Sequence, residues 1–95
     1  MLEPKQEELV RTGDDAETLL KSEPFNRVIN GLVEATFQNF TNSKPEDSKE
    51  RNITYFHYRA LVDVVNTLKQ QVAVRDEINA AQATEEVGDN SQEES

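Results

Sequence analysis

From Pro45 to Ala81 the chain contains no glycine, and no proline after its first position. Nothing else in the sequence constrains the fold so strongly. Through this run Tyr58, Leu61, Val65, Leu68 and Val72 step by 3, 4, 3 and 4 positions, the spacing of one stripe along an α-helix, with the character of a coiled-coil seam. Ile53, Phe56, Ala60 and Val64 add a second apolar edge near its start, and beyond Val72 the seam thins to Val74 and Ile78. The pattern predicts one long C-terminal helix, roughly 55 Å at about 1.5 Å per residue.

A second strong helix precedes it in "SEPFNRVINGLVEATFQNF". Ser22 is a good N-cap, and Glu23 and Pro24 suit a first turn. Phe25, Val28, Ile29, Leu32, Ala35, Thr36 and Phe40 mark one face, which Val33 and Phe37 widen. Gly31 costs roughly 1 kcal/mol against alanine at an interior position. It reads either as tolerated or as the close approach of a neighbouring helix. "TNSKPEDS" is the turn between the two, with Ser43, Pro45 and Glu46 in a capping-box arrangement. The N-terminal segment predicts two short pieces, one starting at Pro4 and ended by Gly13, the other opening on Asp14 with Glu17 three residues on. Such pieces are too short to hold alone and must dock or fray.

The expected fold is therefore all-α: a helical hairpin with one long C-terminal helix, short N-terminal helical segments and a disordered acidic C-terminal tail. Its parts are 1–23, an acidic segment; 24–81, the hairpin; and 82–95, the tail, which is polar and nearly free of apolar residues. Charge follows the same division. The formal charge of −9 separates into −4 over residues 1–23, zero over 24–81 and −5 over 82–95. No cluster of Lys and Arg stands clear of acids, which argues against a nucleic-acid partner. The start "MLEPKQEELVRTG" does not read as a signal peptide, and no apolar run approaches a membrane span. A soluble, cytoplasmic protein without a membrane partner is expected, free in the host cell or incorporated into a particle made there.

The chain has no cysteine and one histidine, so thiolate metal sites and disulfides are excluded. His57 stands among Tyr55, Phe56, Tyr58 and Arg59, yet no nucleophile and no orienting group lie at a usable spacing. It reads as a packing or hydrogen-bonding residue, and the two tyrosines as amphipathic interface aromatics. Arg51 and Arg59 fall on roughly one side, in position to pair with acids of a neighbouring helix such as Glu34. The acceptor patterns at Asn39 and Asn52 fall on predicted helices and read as chance matches. No catalytic residue, metal site or cofactor is expected, and the chain is not read as an enzyme.

Length supplies the functional expectation. The first strong helix, roughly 27 Å long, covers only the first half of the roughly 55 Å one. Val65, Leu68, Val72 and Ile78 then lack a partner within the hairpin, and the leucines of the N-terminal segment are available to cover only some of them. An uncovered apolar stripe marks a partner surface, so Tyr58, Leu61, Val65, Leu68, Val72 and Ile78 are the expected interface of a protein–protein contact, most simply in a homo-oligomer.

The order "LLKSEPFNRVINGL", a polar turn, then "RNITYFHYRALVDVVNTL" resembles small helical proteins encoded by tailed bacteriophages. The matching positions are Leu19, Leu20, Pro24 and Phe25, then Arg51, Tyr55, Tyr58, Ala60 and Leu61, within residues 18–78. The resemblance implies a phage accessory protein tied to virion structure or assembly, without enzyme activity, and carries over no functional residue. The alternative expectation is a small acidic phage inhibitor of a host protein.

Overall fold

The computed structural model describes residues 2–94, with side chains over residues 2–85. Three helices follow one another: α1 (Pro4–Lys21), α2 (Glu23–Asn42) and α3 (Ser48–Glu94). No strand occurs among the described residues. The all-α expectation, with its long C-terminal helix, holds. α3 continues through residues 82–85, where Ala81, Gln82, Ala83 and Glu85 favour helix and no breaker intervenes. Most of the tail expected over 82–95 lies outside the described side chains.

The chain divides into two compact units, one of Met1–Thr18 with Leu68–Ser95, the other of Leu19–Thr67. These divisions fall at other places than the expected 23/24 and 81/82.

In the first unit, α1 passes through Gly13 without a break, correcting the expected pair of short pieces. Gly13 and Ala16, one turn apart, are both buried. A Cβ at position 13 would collide with the Cβ of Arg75 and stand 2.8 Å from the Gln71 carbonyl oxygen. Glycine here is what lets α1 approach α3 closely, and that packing outweighs the roughly 1 kcal/mol it costs within a helix. Asp14 and Glu17, read from the sequence as a helix start, instead turn to Arg75. Its Nη1 donates to Asp14 at 2.9 Å and also to Glu17, while Nε and Nη2 reach the adjacent Asp76 at 3.1 and 2.9 Å. The Arg75 side chain is only 12% exposed. The bond to Glu17, then those to Asp76 and Asp14, raise its pKa above the ordinary arginine value, against a smaller lowering by desolvation.

The second unit is the hairpin of α2 with the first part of α3. Ser22 caps α2 as expected, its Oγ accepting from the Phe25 N–H at 3.3 Å. The Asn26 amide donates to the carbonyls of Leu20 and Ser22 at 2.8 and 3.0 Å, tying the first turn of α2 to the residues just before it. Ser43 differs from expectation. Its hydroxyl donates back to the Phe40 carbonyl at 2.6 Å, closing α2 rather than opening α3. α3 starts at Ser48, after a turn in which the Asp47 N–H donates to the Lys44 carbonyl and the Arg51 N–H to the Asp47 carbonyl.

Candidate interaction surface

The two units differ in what their helices cover. In the first, Leu68, Val72 and Ile78 of the expected stripe are half-buried. Gly13 lies against Gln71 and Arg75, and Leu2 and Gln6 share a groove with Ile78. The N-terminal segment therefore covers this part of the long helix, more fully than its leucines alone suggest. α1 docks there because its small residues bring the backbones together, a use of Gly13 that reading it as a helix stop conceals. In the hairpin unit, Leu61 and Val65 are half-buried and Tyr58 is 36% exposed.

No residue of the hairpin unit is buried. Nine of its large apolar side chains are exposed: Leu19, Val28, Leu32, Phe37, Ile53, Tyr55, Phe56, Tyr58 and Val64. Two helices touch along one stripe each, whereas the apolar face of α2 is wider than one stripe. Apolar residues therefore emerge on both sides of the contact.

One side is aromatic. Thr36, Phe37 and Phe40 of α2 and Thr54, Tyr55 and Tyr58 of α3 line a groove of about 300 Å³. The Tyr55 and Phe56 rings, centroids 6.1 Å apart, meet at a tilt. The Arg51 guanidinium lies 4.9 Å from the Phe40 ring centre, a contact worth about 0.5–2 kcal/mol. Arg51 Nε is buried without a hydrogen-bond partner among the described residues. Arg59 pairs with Asp63 on its own helix at 3.3 Å, and Glu34 accepts instead from Gln38 at 3.5 Å. The expected pairing of the two arginines with Glu34 does not form.

The other side is aliphatic. A groove near the turn has both Asn39 and Ile53 in its walls, so these two mark the same side of the hairpin. Stepping back from Asn39 by 4, 3 and 4 reaches Ala35, Leu32 and Val28; stepping forward from Ile53 by the same intervals reaches His57, Ala60 and Val64. Each series stays on one face of its helix. The antiparallel register that sets Asn39 level with Ile53 sets Ala35 level with His57, Leu32 with Ala60, and Val28 with Val64. All eight are exposed. Gly31 and Phe56 border the face, and it carries no Asp, Glu, Lys or Arg. A Cβ at Gly31 would meet nothing within 4 Å, so no neighbouring helix of this chain accounts for that glycine.

The sequence reading named Ile53, Phe56, Ala60 and Val64 as an apolar edge but placed the interface on the inward stripe. The signal for the aliphatic face was the matched 4, 3, 4 spacing of the two helices read in antiparallel register. His57 sits within this face. Among the described residues no group of three or more His, Cys, Asp or Glu is placed to hold a metal. No helix among them is long and apolar enough to cross a membrane. The chain matches no protein-family model, no curated protein and no solved structure.

Proposed function

We propose that the protein is a non-enzymatic, dimeric helical interaction module that offers its hairpin unit to a protein partner. One observation carries this reading: the hairpin unit has no buried residue and nine exposed large apolar side chains. Contiguous exposed apolar surface is the mark of a docking site. The resemblance to tailed-phage proteins adds the setting, an accessory protein of virion structure or assembly in the host cytoplasm or within the particle. Photo-cross-linking in producing cells tests the module. A photoreactive phenylalanine analogue at position 37 or 56 is expected to join a discrete polypeptide, and one at exposed Glu8 is not. No cross-linked polypeptide from either aromatic position contradicts the reading.

A second reading, the acidic inhibitor, is favoured by where the charge falls. Residues 1–18 and 68–95 hold thirteen acids and four bases, all of the net −9. Glu7, Glu8, Asp14 and Asp15 are exposed on α1, and Glu3 just before it. Under this reading a host protein is captured through α1, and exchanging Glu7, Glu8 and Asp15 for Gln and Asn abolishes capture; under the module reading that exchange leaves the cross-links from positions 37 and 56 in place.

A further inference from the structure

We infer that the aliphatic face of the hairpin unit is occupied by a second copy of this chain, joined to it about a two-fold axis. The inference rests on the interaction-module reading and assigns the face and its occupant. The face brings together Val28, Leu32, Ile53 and Val64, exposed by 61, 47, 46 and 48%, with Phe56, 66% exposed, on its border beside Tyr55. With Ala35 and Ala60 they form a patch on the order of 500 Å², at the upper end of what monomers leave open. A standard interface takes about 800 Å² from each partner, so the patch supplies the apolar centre, with His57 inside it, and Asn39 part of a polar rim.

Charge selects the occupant. Residues 19–67 hold six acids and six bases, for a net charge of zero, whereas the rest of the chain carries −9. The apolar centre of the face has no charged side chain; Asp47 and Glu50 line only the groove at its turn end, beside Asn39 and Ile53. A basic or an acidic partner therefore finds nothing on it to recognise, whereas a second neutral, apolar face of the same kind meets no repulsion there. Shape agrees with this choice. A two-fold contact is self-complementary, each patch meeting its own copy. Its prominent residues, Val28, Leu32, Ile53 and Val64, alternate with Gly31, Ala35 and Ala60, so the projections of one copy find hollows in the other. Gly31 then has a use: it lets the partner's backbone come close, as Gly13 does for α3 within the chain.

The experiment is sedimentation equilibrium of the full chain over micromolar to hundred-micromolar concentrations, comparing the parent with Gly31→Leu and Phe37→Ala. Because a Cβ at position 31 meets nothing within 4 Å, a side chain there leaves the subunit fold intact, which circular dichroism verifies. The expected result is a dimer whose Kd rises at least tenfold in Gly31→Leu and stays within about threefold in Phe37→Ala, on the aromatic side. Added salt tightens the dimer by screening the acids outside the hairpin unit. A parent that stays monomeric throughout overturns the second copy as occupant. A dimer indifferent to Gly31→Leu overturns the face. Either result with cross-linking from position 37 to a different protein removes the self-contact but leaves the hairpin unit standing as a docking module, so the two failures are told apart.

Discussion

Gly13 and Gly31 are the same residue inside two neighbouring helices, and their surroundings are opposite. Around Gly13 there is no room for even a methyl group, because Arg75 and Gln71 occupy the space. A Cβ at Gly31 would meet nothing within 4 Å beyond its own helical backbone. The contrast extends to the units that contain them. One has Gly13 and Ala16 buried and a guanidinium held by three carboxylates; the other buries nothing and is electrically neutral. A glycine inside a helix carries a cost, and where the chain itself shows no return for it, the return is to be sought in a partner.

The contrast breaks most visibly under one substitution made on both sides. Ala16 is 2% exposed and Leu32 is 47% exposed. Ala16→Asp forces a carboxylate into the α1–α3 contact, at a cost of about 3–5 kcal/mol. Loss of helical signal at lower urea concentration measures it. Leu32→Asp leaves the carboxylate in water, so at high dilution the subunit loses less than about 1 kcal/mol, while self-association disappears. Equal destabilisation of the subunit by both changes erases the distinction between the units.

Alanine at the two glycines sharpens the comparison. Gly13→Ala must push α1 away from Arg75 and Gln71, and overpacking of this kind costs about 1–3 kcal/mol. Gly31→Ala is expected to raise subunit stability by up to about 1 kcal/mol through helix propensity alone. Urea unfolding of the two variants at high dilution checks the opposite signs.

Arg75→Met gives a smaller effect than Gly13→Ala, because Asp14 and Asp76 are largely exposed and regain water. The arginine pKa is raised in the fold, so its stabilising contribution is complete below the unfolded arginine's titration and is lost only above it. Arg75 itself therefore adds no pH dependence between pH 5 and 9, and thermal melts of parent and variant across that window are expected to run parallel.

Much of this architecture could be read before the structure, and the parts that could not share a cause. The long helix follows from the absence of Gly and Pro between Glu46 and Ala81, and Ser22 with Pro24 marks the start of α2, because these signals are local. Gly13 and the Asp14–Glu17 pair carry equally local signals for a helix end and a helix start, and both mislead. Their partner, Arg75, is some sixty positions away, and a contact that distant leaves no periodicity to read. The same limit hid the aliphatic face. Ile53, Phe56, Ala60 and Val64 are recognisable as apolar, yet which of two apolar stripes on α3 turns inward depends on the register with α2.

The central claim is that the first unit is complete within one chain and the hairpin unit is completed by another. Amide hydrogen exchange followed residue by residue at two protein concentrations a hundredfold apart tests it most directly. Protection is expected to rise with concentration across Val28–Ala35 and Ile53–Val64 and to stay constant around Gly13, Ala16 and Arg75. Protection that is independent of concentration in the hairpin unit, or that rises only around Gly13 and Arg75, contradicts it.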